Sequence, residues 1–211
     1  VDMDREKDAL GYLQQALKIW PNYADAHENM GNALLKLDRP EEALAHFQQQ
    51  LEIEPDNAVA FFNAGNALVA MEKIPEAIDY YEQALRLDPK LAHAYDRLGV
   101  ALARSGRTAE AISHYEEALR LDPNNADTHY NYSVSLIRLG KMTEACEQLK
   151  ETVRIDPSYA KAHHNLGIMY AQKGQSQEAM AEFEQAVRLN PGDASARQAL
   201  DQLRAAAQPK H

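Results

Sequence analysis

Apolar side chains in this chain recur at spacings of three and four residues, as in Leu98 and Leu102 and then Ala111, Ile112, Tyr115, Ala118 and Leu119. This is the stripe an α-helix buries, so each such stretch predicts two amphipathic helices of about a dozen residues joined by a short break. Gly106, Gly140 and Gly174 fall at the breaks, where the first helix has to turn back through a left-handed backbone. Pro40 and Pro75 are placed to open a second helix, where the missing N–H is not needed. A further proline ends each second helix, and Asp56, Asn124, Ser158 and Asp193 just beyond are expected to cap the helix that follows. Neither helix of a pair can bury its stripe alone, so the pairs must stack.

The closing prolines, Pro21, Pro55, Pro89, Pro123, Pro157 and Pro191, lie 34 residues apart without a slip. In the same register stand Gly31, Gly65, Gly99, Ser133 and Gly167, then Ala43, Ala77, Ala111, Ala145 and Ala179, then Phe47, Tyr81, Tyr115, Leu149 and Phe183. Small residues in two registers let paired backbones approach, and the aromatic four residues after the alanine fills the space left over. With its early small residue, late Ala and terminal Pro, the pattern resembles the tetratricopeptide repeat (TPR) family over nearly the whole chain. The resemblance implies an all-α fold, a right-handed superhelical solenoid of antiparallel helix pairs closed by a C-terminal solvating helix. It divides the chain into repeats 24–57, 58–91, 92–125, 126–159 and 160–193. Repeat 126–159 departs most, with Ser133, Leu149 and Thr152 where the family prefers Gly, an aromatic and Ala, and looser packing is expected there.

The ends differ. Residues 1–23 match only the second helix of a repeat, with Ala9, Leu13 and Ala16 in the register of Ala43, Phe47 and Gln50 and no first helix to cover them. The expectation is a fragment of a longer protein, or a face covered by another subunit, with self-association as one outcome. Trp20 takes a register that is otherwise acidic, at Glu54, Asp88, Asp122 and Asp156. It reads either as a contact with upstream sequence or as shielded by neighbouring helices. Residues 194–211 read as a first helix that turns polar and ends in Gln208, Pro209, Lys210 and His211, the form of a capping segment.

Composition narrows the partners. A net charge of -10 argues against nucleic acid and anionic membrane surfaces as main partners. No stretch approaches the roughly 20 apolar residues of a membrane span, and nothing at the start resembles a signal peptide. The single Cys146 allows no internal disulfide and reads as an inert buried thiol; a cytoplasmic location is the expectation. Enzymatic chemistry has little support: there is no glycine-rich phosphate loop, no paired-cysteine metal spacing and no two-histidine zinc helix, and neither cofactor nor metal is expected. His27, His129 and His163 share the fourth repeat position and are assigned to packing, since copies roughly a helix diameter, about 10 Å, apart could not share one metal ion. The glycosylation-like tripeptide Asn131, Tyr132, Ser133 lies mid-helix and reads as chance.

What remains is the inner surface. In TPR arrays the first helices line a concave groove, and ligands lie against their second, fifth, sixth, ninth, twelfth and thirteenth positions. The sixth holds Asn29, Asn63, Arg97, Asn131 and Asn165, a row resembling the asparagine ladder in the TPR domains of O-linked N-acetylglucosamine transferases, where side-chain amides grip a peptide backbone. An amide both donates and accepts, so such a row can satisfy a peptide whatever its side chains. The competing reading is that these residues hold neighbouring repeats together or face water. Phe62, Tyr130 and His164 occupy the fifth position. Val59, Val69, Val100, Val134, Ile137 and Ile168 would add an apolar floor, or else pack between first helices. Asp25 and Glu28 make one end acidic, and Arg97, Arg104, Arg138 and Lys161 make the rest basic. A clamp for a C-terminal carboxylate is disfavoured: Asn32 and Asn63 match its asparagines, but Glu28, Asp96 and Val100 stand where cations are needed. The reading is a non-enzymatic scaffold binding an extended or helical peptide segment of a partner protein. The alternative is an accessory domain presenting substrates within a larger, glycosyltransferase-like enzyme, or a cytoskeletal or membrane-associated adaptor.

Overall fold

The computed structural model describes residues 3–207, with side chains from Ala9 onward. Val1, Asp2 and the polar tail from Gln208 to His211, which entered the expectations for the two ends, lie outside the described residues. All regular structure among the described residues is helical. The chain forms two compact units, one up to Leu121 and one from Asp122.

The first unit holds α1 (Met3–Ile19), α2 (Ala24–Lys36), α3 (Pro40–Ile53), α4 (Ala58–Ala70), α5 (Ile74–Leu87), α6 (Ala92–Arg104) and α7 (Thr108–Leu121). Consecutive helices pack on one another, and α4 also touches both α2 and α6, so these three form one continuous face. The second unit holds α8 (Ala126–Arg138), α9 (Met142–Ile155), α10 (Ala160–Gln172), α11 (Ser176–Leu189) and α12 (Ala194–Ala207), again packed in chain order.

One contact recurs through both units. A Cβ built on Gly31, Gly65, Gly99 or Gly167 would lie 2.5–2.7 Å from the ring of Phe47, Tyr81, Tyr115 or Phe183, so each aromatic ring takes the space that a side chain would need. Ala43, Ala77, Ala111, Ala145 and Ala179, wholly buried, admit the close approach from the other helix. The pair α8 and α9 reaches the same end differently. Ser133, Leu149 and Thr152 are all 0% exposed, so the three residues that depart from the family pattern are fully enclosed. A branched aliphatic leaves room for the serine Cβ, and both hydroxyls are satisfied within their own helices, Ser133 donating to the Tyr130 carbonyl at 2.6 Å and Thr152 to that of Gln148 at 2.9 Å.

The hairpin turns share one closure. The amides of Arg39, Lys73, Arg107, Lys141 and Gln175 donate back to the carbonyls of Leu34, Leu68, Leu102, Leu136 and Tyr170 at 2.9–3.0 Å. This requires a left-handed residue just before each donor. Gly106, Gly140 and Gly174 supply it with φ of 86°, 75° and 73°, but in the first two pairs Asp38 (57°) and Glu72 (59°) are held there instead. Pro40 is the first residue of α3 and Pro75 the second of α5. The caps correct the sequence reading by one residue. Asn57 and Asn125, not Asp56 and Asn124, accept from the Ala60 and Thr128 amides at 2.9 and 3.0 Å. Ser158 lies in the turn before α10, its amide on the Asp156 carboxylate at 2.8 Å, and α10 follows Tyr159 without a side-chain cap. Asp193 caps α12 as expected, accepting from Ala196 at 3.0 Å.

The buried histidines have partners that spacing did not reveal. Nε2 of His27, His129 and His163 faces the Pro21, Pro123 or Pro157 carbonyl at 2.9–3.1 Å. Nδ1 faces a side chain 19 residues on: His46 (3.0 Å), Gln148 (2.7 Å) or Glu182 (2.6 Å). The other two pairs replace these bonds by ring contacts, Phe61 with Tyr80 at 5.8 Å and Tyr95 with His114 at 6.0 Å between centroids.

Candidate functional site

In the first unit the face of α2, α4 and α6 carries Asn29 (exposed), Asn63 (half-buried) and Arg97 (exposed). Between α4 and α6 it opens into a pocket of about 410 Å³ lined by Phe62, Asn66, Val69, Tyr81, His93, Arg97, Val100, Ala101 and Arg104. Five residues that the sequence places on the inner surface, Phe62, Val69, Arg97, Val100 and Arg104, are therefore brought together. Asn66, Tyr81 and His93 were not assigned to the site. Asn66 and His93 stand at ligand-facing positions of their helices, the ninth and second, whereas the repeat register assigns Tyr81 to packing. The signal lay in its being Tyr and not Phe, because a buried hydroxyl needs a partner. It finds one in Asn66, donating to Oδ1 at 2.8 Å, while the Phe62 and Tyr81 ring centroids stand 5.9 Å apart. Burial pushes the Tyr81 hydroxyl far above the ordinary phenol range, with Arg97 and Arg104 opposing and Asp96 adding to it.

In the second unit, Tyr130, Asn131, Val134 and Arg138 lie along α8, and His164, Asn165 and Ile168 along α10. Tyr130 packs on Tyr159 with centroids 4.9 Å apart, and the Tyr159 hydroxyl donates to Asp127 at 2.9 Å. Burial pushes the Tyr130 hydroxyl up, partly offset by a hydrogen bond from Asn165. That asparagine is thus already engaged. His164 is engaged too, with Nδ1 2.6 Å from Asp193 and its ring edge-on to Phe183 at 6.0 Å, so it ties α10 to the start of α12. Burial would raise the Asp193 carboxyl, but the Ala196 amide, the Ser195 hydroxyl and His164 together hold it below its usual value.

Away from this face, Cys146 is buried, as is Tyr132 beside Ser133. Tyr12, Ile19, Trp20 and Tyr23 are exposed on and just after α1, while Ala9, Leu13 and Ala16 are half-buried. Among the described residues no group of three His, Cys, Asp or Glu side chains is placed to hold a metal ion, and no helix is long and apolar enough to cross a membrane.

Residues 22–90, 62–126, 102–166 and 160–193 each match a tetratricopeptide repeat family, so the matches together run from residue 22 to residue 193. The chain belongs to the TPR family, and its all-α array of helix pairs is the family's protein–protein interaction scaffold. Among solved structures it is similar to YrrB, described as a TPR protein with an unusual peptide-binding site, at 27% identity over 90% of this chain and 97% of that one, with a TM-score of 0.70. PilF of Pseudomonas aeruginosa is 20% identical over 98% of this chain and 100% of its own, with a TM-score of 0.79, and MamA is 23% identical over 79% and 97%, with a TM-score of 0.70. These last two show the fold alone. No curated protein sequence matches significantly.

Proposed function

We propose that this scaffold holds an extended or helical peptide segment of a partner protein against the faces of its first helices, and that it does so without catalysing a reaction. The repeats 24–57, 58–91, 92–125, 126–159 and 160–193 are its recognition units, preceded by a lone second helix within 1–23 and followed by a capping segment, 194–211. The observation that carries the reading is the pocket between α4 and α6, which joins an apolar floor of Phe62, Val69 and Val100 to hydrogen-bonding side chains at its walls. Asn29, Asn63, Asn131 and Asn165 continue the same helix position along the chain. A relative 27% identical and described as peptide-binding supports the same use here.

The test begins with partners captured and identified by mass spectrometry, followed by calorimetry on the purified pair. Phe62→Ala combined with Asn63→Ala is expected to weaken binding by about 1–3 kcal/mol, the scale of one buried aromatic anchor and one amide hydrogen bond. Glu116→Ala with Glu117→Ala on α7 should leave it unchanged. A partner that ignores the first pair, or loses as much affinity with the second, binds another surface.

A further inference from the structure

The pocket between α4 and α6 has a polarity of its own within an acidic chain. Every charged residue lining it is a cation, Arg97 or Arg104, with His93 beside them. The acid next to it in sequence, Asp96, is buried, and its Oδ2 lies 3.9 Å from Arg97 Nε, leaving the outer end of that guanidinium toward solvent. Arg104 has no ion-pair partner among the described residues, although exposed arginines elsewhere do: Arg107 pairs with Glu110, Arg120 with Glu117 and Arg154 with Glu151, each at 2.7 Å. Asn66 adds to the asymmetry. Its Oδ1 already accepts the Tyr81 hydroxyl, with one lone pair to spare, and its Nδ2 is available to donate. The pocket therefore presents donors above an apolar floor, and its complement is an acceptor with negative charge attached to apolar bulk.

We infer that the α4–α6 pocket receives the carboxylate of an Asp or Glu within a partner segment, together with an aliphatic side chain two residues away in sequence. The inference rests on the scaffold reading above and names the chemistry of its ligand. An extended peptide directs residues i and i+2 to the same side, so one residue reaches the Arg97 and Arg104 guanidiniums and Asn66 while the other covers Phe62, Val69 and Val100. Two arginines focused in a partly apolar recess attract a carboxylate even though the whole chain carries -10.

The probe is the heptapeptide Gly-Ser-Leu-Ser-Glu-Ser-Gly, acetylated and amidated, titrated into the full chain while the methyl signals of Val69 and Val100 are followed by NMR. A second arm replaces Glu by Gln, and a third uses the Gln peptide with a free C-terminal carboxyl. The Glu peptide is expected to shift both valines and to bind about 5-fold or more tightly than its Gln counterpart, with the difference shrinking as salt is raised. Arg97→Gln or Arg104→Gln, both at exposed positions, should reduce it to the level of the Gln peptide. Arg120→Gln, the same charge change on α7, should not. Equal binding of the Glu and Gln peptides at the two valines would overturn the acidic ligand and leave the docking face standing. Shifts confined to α5 and α7 would overturn both readings. Tighter binding by the free-carboxyl arm, an equal loss with Arg120→Gln, or no binding by any arm would overturn the inference as well.

Discussion

Gly99→Ala tests the contact on which each helix pair is built. The added methyl would lie 2.7, 2.9 and 3.0 Å from three atoms of the Tyr115 ring, against 3.4–4 Å for ordinary contact. The ring is 1% exposed, so it has little space to retreat into. Overpacking of this kind costs about 1–3 kcal/mol, while replacing a mid-helix glycine by alanine returns about 1 kcal/mol of helix propensity. A net loss of up to about 2 kcal/mol is expected. Gly11→Ala in α1 is the counterpart, because a Cβ there meets nothing within 4 Å, and it should be neutral or stabilising. The pair Ser133 and Leu149 indicates the rescue: Tyr115→Leu should cost stability alone but should make Gly99→Ala nearly harmless, a coupling of about 1–2 kcal/mol. Urea unfolding followed by far-ultraviolet circular dichroism, with the slope checked for constancy, supplies the numbers. Equal midpoints for Gly99→Ala and Gly11→Ala, or strict additivity in the double variant, would refute the close-contact argument.

Asp38→Gly and Glu72→Gly should each stabilise the chain by about 0.5–1 kcal/mol in the same assay, since relief of a left-handed residue outweighs the added freedom of glycine in the unfolded chain. The His46 imidazole is pulled below its ordinary value by burial and then by His27, with Glu42 opposing; His114 is lowered by burial, with Glu82 and Glu110 opposing and Arg107 adding. A depressed imidazole stabilises the fold above its unfolded value, about 6.5, and that contribution is lost as pH falls through the lower folded value. His46→Gln, which copies the bond of Gln148 to His129, should therefore flatten the fall of the urea midpoint between about pH 7 and 5 while leaving the midpoint at pH 8 nearly unchanged. An unaltered slope would show that His46 does not carry it. The exposed Tyr12, Ile19, Trp20 and Tyr23 are expected to drive concentration-dependent association that Trp20→Ser weakens; sedimentation showing one unchanging monomer at all concentrations would rule this out.

The helices and their pairing were legible because burial imposes a period on the chain, and the contact of Gly99 with Tyr115 repeats in a register that can be counted. Other features depended on choices a period does not encode. Asp38 and Glu72 take a left-handed backbone because the closing bonds from Arg39 and Lys73 demand it, whatever residue is present. Asn57 caps α4 while Asp56 does not, since two neighbouring polar residues compete for one geometric role. For the site, helix position selected Phe62, Arg97, Val100 and Arg104 as neighbours, but it could not tell that Asn165 is engaged with Tyr130 or His164 with Asp193. The partner of His164 is a helix cap and that of Asn165 lies on the neighbouring first helix, so neither follows from the period within one repeat.

The contact between the fourth residue of a pair's first helix and a residue 19 positions on limits how the chain can be inherited in pieces. His27 with His46, Phe61 with Tyr80, Tyr95 with His114, His129 with Gln148 and His163 with Glu182 each solve the same junction with different chemistry, and both members always lie in one block of the chain. A duplication or deletion of a whole block carries its solution with it. A crossover between two helices of a pair would instead set Phe61 against Glu182, or Ser133 beneath the ring of Phe183. The complete helix pair is therefore the smallest segment that keeps this contact intact, and grafts engineered into this chain should be cut at the closing prolines and not at the hairpin turns.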